Sequence, residues 1–159
     1  KASEFVTIEK RAFIAGCPEN KCKNPAFPVE VEYVITITPK DNYTISITDA
    51  TDTLKTRTSK KAWEEEGKTP PTVPDDVMTK VDFPEIAPDT TIPPGGNLTL
   101  AYTRSLDQSH NHASINNTFE LKFFAKDAAS LKEGTDNAIT GDVVYIGDYS
   151  QGAGCWPVS

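Results

Sequence analysis

Residues 115–124 read INNTFELKFF, and their apolar and polar side chains alternate along most of the run. Successive side chains of a β-strand point to opposite faces, so every second residue of this run shares a face. That face carries Ile115, two phenylalanines and a leucine, which marks it as the core face, but it also carries Asn117. A buried carboxamide without hydrogen-bond partners costs about 1–3 kcal/mol. The run therefore predicts a β-strand, and Asn117 needs partners inside the core.

The same period of two recurs along most of the chain. It predicts four further strands with a core face and a last short strand at 142–148, whereas only residues 59–66, SKKAWEEE, look helical. The predicted inward residues are Val6, Ile8, Lys10 and Ala12; Val29, Val31, Tyr33, Ile35 and Ile37; Tyr43, Ile45, Ile47 and Asp49; and Leu98, Leu100 and Tyr102. The pattern predicts an all-β fold, a single sandwich of about seven strands.

The chain has 159 residues, which is enough for one well-buried core, and residues 1–148 are predicted to form one domain. Residues 67–96 hold most of the 12 prolines. Because proline is excluded from central strands, this stretch is predicted to be a long Pro-rich surface loop with one edge strand around 78–83. Residues 149–159 lack a β pattern and are predicted to be a C-terminal linker.

Charge and hydropathy exclude several classes of partner. The formal net charge is −7, and nucleic-acid affinity depends on lysine and arginine, so no nucleic-acid partner is expected. No apolar run approaches the roughly 20 residues that cross a bilayer, so no membrane insertion is expected in this chain. The sequence also lacks the common hydrolase, metalloprotease and nucleotide-binding motifs. These observations favour a binding or structural protein over an enzyme.

The three cysteines suggest one local disulfide. Cys17 and Cys22 lie five residues apart in a polar loop, and a disulfide between them would imply an oxidising compartment. Cys155 is then left over, to pair with a partner or with sequence beyond Ser159. A zinc site from the three cysteines matches known spacings poorly, and the two histidines of SHNH, 109–112, suit an exposed polar loop better than a metal site. No metal and no other cofactor is expected.

Three predicted inward positions are polar: Lys10, Asp49 and Asn117. One interpretation is a buried ion pair hydrogen-bonded to the asparagine. The other is chemical, because burial favours the neutral forms of an amine and of a carboxylic acid. A neutral Lys10 amine could attack the Asn117 amide carbon while Asp49 polarises the carbonyl and shuttles protons, so that ammonia leaves and an isopeptide bond remains.

Four segments carry a resemblance to a known family: VTIEK at 6–10, VEYVITIT at 31–38, ISITDATDTL at 45–54 and INNTFEL at 115–121. They resemble the immunoglobulin-like or prealbumin-like domains of bacterial surface proteins that form Lys–Asn isopeptide bonds, as in Gram-positive pilins and adhesins. That family has the lysine on the first strand, the asparagine on a late strand and the acid between them. Lys10, Asp49 and Asn117 follow this order.

Several alternatives stay open at the sequence level. Asp52 could replace Asp49, because a bulge would change which residues face inward. Many relatives use a glutamate, and Glu85 lies in FPEIAP, which no pattern orients. Asn116 is the alternative partner of the lysine, although its parity points outward.

The resemblance implies a structural stalk or spacer domain on the outside of the cell, at the cell surface or cell wall, with neighbouring domains of the same chain as partners. It is expected to carry out one self-crosslinking turnover and not to be an enzyme. The competing hypothesis is an adhesin module that binds a cell-wall glycan or a host protein through the Pro-rich loop and Trp63. The Cys-Trp-Pro at 155–157 weakly resembles junctions that precede cell-wall peptidase domains, which would make the chain an accessory domain.

Overall fold

The computed structural model describes residues 4–88, 90–139 and 143–147, which form ten β-strands and one short α-helix. The strands are β1 (Val6–Ile14), β2 (Lys21–Cys22), β3 (Val29–Pro39), β4 (Thr44–Thr58), β5 (Asp76–Thr79), β6 (Thr91–Ile92), β7 (Leu98–Leu106), β8 (Ala113–Lys126), β9 (Leu131–Ile139) and β10 (Val144–Ile146); the helix α1 is Lys60–Glu65. No helix within these ranges is long and apolar enough to cross a membrane.

The strands form two sheets. The three-stranded sheet has the order β1-β3-β7, and the seven-stranded sheet has the order β2-β10-β8-β4-β5, with β6 added to β4 and β9 added to β8. The inner faces of both sheets contribute to one hydrophobic core, which includes Ile35 and Ile37 from β3 and Phe119 and Leu121 from β8. The predicted all-β sandwich is confirmed.

The predicted core faces of β1, β3 and β8 are also confirmed. Their buried and less buried residues alternate with the period of two that the sequence shows. Lys10 and Asn117 occupy buried positions in this alternation. Both side chains therefore point between the sheets.

Strand β4 departs from the prediction because it contains a β-bulge. Ile47 pairs with Phe123 and Asp49 pairs with the next residue back, Lys122, so Thr48 has no residue opposite it. An extra residue of this kind reverses the inward and outward positions beyond it. Asp49 is consequently not in the core face, and Ala50 and Asp52 are fully buried instead.

The Pro-rich stretch at 67–96 is more than a surface loop. It contains an edge strand, β5, at one end of the seven-stranded order, and also β6. The edge strand was predicted around 78–83, but it ends at Thr79, and a single 3-10 turn follows at Lys80–Asp82. Met78, Phe83 and Ile92 from this stretch are each 2% exposed and belong to the core. The predicted linker at 149–159, with Cys155 and Trp156, lies outside the described residues.

Candidate functional site

Four polar side chains meet between the two sheets, and we call them the inter-sheet cluster: Lys10 (β1), Asp52 (β4), Tyr102 (β7) and Asn117 (β8). Lys10 and Tyr102 come from the outer strands of the three-stranded sheet, on either side of β3. Asp52 and Asn117 come from two adjacent strands of the other sheet, where Asp52 lies opposite Phe119 and Asn117 lies opposite Leu54. The two are therefore diagonal neighbours on the inner face, a spacing that longer side chains bridge.

Three of the four side chains in this cluster are almost completely buried, and Tyr102 is partly buried. The side chains of Lys10 and Asp52 are 2% and 0% exposed, and Asn117 is also 0% exposed. An isolated charge in such a place would be very costly, so these groups must satisfy one another.

The carboxylate of Asp52 is the centre of the cluster, and its two oxygens have different partners. Oδ1 accepts a hydrogen bond from Lys10 Nζ at 3.0 Å and another from Asn117 Nδ2 at 2.7 Å. Oδ2 accepts a hydrogen bond from the Tyr102 hydroxyl at 2.5 Å. Asn117 Nδ2 also lies 3.3 Å from the Tyr102 oxygen. The amine and the amide nitrogen thus converge on one carboxylate oxygen.

Burial alters the acidity of the lysine. Desolvation lowers the pKa of Lys10 from its usual 10.5 to about 8, although the charge of Asp52 and its hydrogen bond act in the opposite direction. Desolvation, together with the charge of Asp52, raises the pKa of the Tyr102 phenol, which therefore keeps its proton at any pH of interest. Lys10 can lose its proton near neutral pH, and Tyr102 remains a hydrogen-bond donor.

The amide of Asn117 is only partly satisfied. Its nitrogen makes the two contacts above, but its buried Oδ1 has no hydrogen-bond partner within the described part of the chain. The nitrogen, and not the oxygen, faces Asp52. In this orientation the aspartate can pass a proton to the amide nitrogen. Polarising the carbonyl, which the sequence analysis assigned to the aspartate, would need the amide turned over.

The structure brings together two of the three residues first chosen from the sequence. Asp49 was expected to complete the group, but the bulge turns it away, and its carboxylate accepts a hydrogen bond from the backbone nitrogen of Ala50 at 3.0 Å. Asp52, the alternative, takes the place beside Lys10 and Asn117. Glu85 accepts a hydrogen bond from Ala101 N instead. Asn116 is half-buried opposite Lys55 on the other face of β8.

Tyr102 was predicted to face inward but was not identified as a member of the site. Its ring stacks on Tyr33, directly opposite on β3, with centroids 5.2 Å apart, and Phe83 packs against its edge. A tyrosine on a core face needs a partner for its hydroxyl, and this requirement was the available signal. It could not identify Asp52 as the partner, because the bulge had not been located.

The predicted disulfide between Cys17 and Cys22 is present. The two histidines do not share an environment: His110 belongs to a single 3-10 turn, whereas the side chain of His112 is only 6% exposed and contacts Glu66. No group of three metal-ligating side chains occurs among the described residues.

Trp63, expected beside a binding surface, is 7% exposed and donates its indole N–H to Asn111 O. Phe13 is the one large aromatic residue in the described ranges that is classed as exposed. A cluster of exposed rings, which a glycan-binding surface would use, is therefore not seen in these ranges.

No protein-family model matches the chain, and no curated protein matches it. Three solved structures show a distant likeness at 11% identity. The structural-genomics target SoR45 aligns over 100% of this chain and 95% of its own with a TM-score of 0.46. A protein from Archaeoglobus fulgidus aligns over 84% and 94% with a TM-score of 0.34. The sporulation control protein Spo0M from Bacillus subtilis aligns over 88% of this chain and 49% of its own with a TM-score of 0.35.

Proposed function

We propose that this chain is a structural stalk or spacer domain of an extracellular bacterial surface protein, and that it stabilises itself by an isopeptide bond between Lys10 and Asn117. One observation carries the proposal. A single buried oxygen, Asp52 Oδ1, accepts hydrogen bonds from the nitrogen that would attack and from the nitrogen that would leave. An arrangement of this kind can relay a proton between the two nitrogens without solvent.

The reaction begins when Lys10 Nζ gives a proton to Asp52 Oδ1, which leaves a neutral amine and a neutral acid. The amine attacks Cγ of Asn117, so an Nζ–Cγ bond forms and the Cγ–Nδ2 bond breaks. Asp52 protonates Nδ2 as it leaves and takes back a proton from Nζ, so the products are a secondary amide and ammonia. Folding supplies most of the catalysis, because it holds both reacting side chains on the same carboxylate oxygen in a buried site.

The position of the bond suits a load-bearing domain. Lys10 belongs to the first strand of the three-stranded sheet and Asn117 to the seven-stranded sheet, so the bond would join the two sheets covalently. It would close a loop of about 107 residues. By analogy with disulfides of that span, restricting the unfolded chain contributes about 4–5 kcal/mol.

The disulfide supports the same location. Disulfides persist in oxidising compartments, and a protein outside the cell has no chaperones to refold it after mechanical or thermal stress. The partners of such a domain are neighbouring domains of the same chain. The turnover is single, because the lysine and the asparagine are both consumed.

The test is an intact mass measured under denaturing and reducing conditions, followed by peptide mapping. We expect a deficit of one ammonia and a branched peptide that joins Lys10 to Asn117. A succinimide also loses ammonia, but it yields no branched peptide. A wild-type mass equal to that calculated from the sequence would disprove the proposal and leave the cluster as a non-covalent polar network.

The chain offers two matched pairs of variants. Asp52→Asn should retain the full mass, whereas Asp49→Asn, three residues away on the same strand, should lose ammonia as the wild type does. Asn117→Ala should retain the mass calculated for it, whereas Asn116→Ala should lose ammonia. The reverse result in either pair would move the site to the other residue.

A further inference from the structure

The Tyr102 hydroxyl has no part in the reaction described above, yet it contacts two of the groups that take part. It donates a hydrogen bond to Asp52 Oδ2 at 2.5 Å, and its oxygen lies 3.3 Å from Asn117 Nδ2, the leaving nitrogen. The ring is held by stacking on Tyr33 and by edge contact with Phe83, so the hydroxyl has a fixed position.

Resting on the proposed function, we propose that Tyr102 is a positioning residue for the cross-linking reaction. Its hydroxyl donates a hydrogen bond to Asp52 Oδ2 and so fixes the plane of the carboxyl group. The proton from Lys10 is thereby directed to Oδ1. Only Oδ1 contacts both nitrogens. A proton on Oδ2 would face the phenol and would have no direct contact with the leaving nitrogen, which it could reach only through the phenol oxygen.

Charge adds a second effect with a definite sign. The phenol hydrogen-bonds to the counter-ion of Lys10, and so weakens the attraction by which the Asp52 charge raises the pKa of Lys10. With the hydroxyl in place, Lys10 therefore loses its proton to solvent at a lower pH. Without the hydroxyl, the Lys10–Asp52 pair should keep this proton to a higher pH. A residue that only filled space would not move the pH dependence.

The test follows the reaction in protein that has not folded before the measurement starts. Wild type, Tyr102→Phe and Tyr33→Phe are made by chemical synthesis and kept in denaturant. They are then folded by dilution over a range of pH and quenched at intervals, and their masses are measured by mass spectrometry. Tyr102→Phe keeps the stacked ring and removes one hydroxyl. Tyr33→Phe removes the buried hydroxyl of the ring stacked on Tyr102, which has no hydrogen-bond partner among the described residues, so it is the control variant.

We expect Tyr102→Phe to lose ammonia roughly 10- to 100-fold more slowly, the range that one hydrogen bond to a charged group corresponds to. We also expect the apparent pKa of its pH–rate profile to lie above that of the wild type. Tyr33→Phe should match the wild type in both respects. A Tyr102→Phe rate that is unchanged or faster, or slower with an unmoved profile, would overturn the proposal.

Folding is checked by circular dichroism at each pH. If Tyr102→Phe does not fold, 3-fluorotyrosine at position 102 gives a test of opposite sign. Its phenol is more acidic and donates a stronger hydrogen bond, so the apparent pKa should fall, and an unmoved value would overturn the proposal. If the wild type itself loses no ammonia, the cross-linking function fails as a whole. If the wild type loses ammonia and the Tyr102 variants do so with the same rate and pH profile, the function stands and the role of Tyr102 fails.

Discussion

Two polar clusters in the described part of the chain differ in how far water reaches their acidic residue. The inter-sheet cluster lies in the core, and a second cluster, which we call the end cluster, joins α1 to the turn between β7 and β8. The end cluster consists of Trp63, Glu66, Asn111 and His112. In it, Trp63 Nε1 donates to Asn111 O at 2.9 Å, and His112 Nε2 lies 2.8 Å from Glu66 Oε2.

The difference lies in how the acid is solvated. The side chain of Glu66 is 42% exposed, so water stabilises its charge whether or not His112 is present. The side chain of Asp52 is 0% exposed and depends wholly on Lys10, Tyr102 and Asn117. Each cluster leaves one buried atom without a hydrogen-bond partner among the described residues, His112 Nδ1 in one and Asn117 Oδ1 in the other. The end cluster connects a helix to a turn, whereas the inter-sheet cluster is the site of the proposed reaction.

The largest effect is expected from Asp52→Asn, which leaves the buried Lys10 without its counter-charge. Breaking a buried ion pair in this way costs about 3–5 kcal/mol, and loss of the proposed cross-link would add to that cost. Urea unfolding followed by fluorescence would measure it. Asp49→Asn is the control and should stay within about 0.5 kcal/mol of the wild type. Equal losses in the two variants would contradict the placement of Asp52 in the core.

The next effect concerns pH. The proposed reaction needs the one proton that Lys10 passes to Asp52. Lys10 loses this proton to solvent as pH rises through about 8, its lowered pKa. Ammonia release during refolding should therefore be level below that pH and fall roughly tenfold per pH unit above it. Mass spectrometry of quenched samples gives the rate. A rate that rises through pH 8 would show that the amine reacts without a proton from Asp52.

These two predictions depend on a part of the structure that the sequence could not supply. Periodicity correctly placed Lys10 and Asn117 on core faces, because β1, and β8 from Ile115 onward, keep a period of two. It failed at Asp49, because Thr48 is an extra residue in β4. The bulge is held by distant contacts, namely Lys80 Nζ to Thr48 O and Ile47 N to Thr90 O. Both partners come from the Pro-rich stretch, whose path no local pattern encodes.

A smaller effect is expected in the end cluster from Trp63→Phe. The change keeps an aromatic ring against His112 and removes the hydrogen bond to Asn111 O, which should cost about 1 kcal/mol. Urea unfolding measures the loss, and intact mass should show the cross-link unaffected. A failure to lose ammonia in this variant would mean that the two clusters are coupled.

The smallest effect is expected from Glu66→Gln. Comparing this variant with Asp52→Asn shows how much the burial of the acid adds to the loss of stability. Glutamine can still bond to His112 Nε2, and the glutamate that it replaces is 42% exposed to water, so the stability should change by less than about 1 kcal/mol. Glu66 and Asp52 each hold a nitrogen at close to 3 Å, so distance alone would predict similar losses on neutralisation. Added salt gives a further distinction, because it screens an exposed pair and not a buried one. A loss at Glu66 as large as that at Asp52 would mean that exposure of the acid is not what distinguishes the end cluster from the inter-sheet cluster.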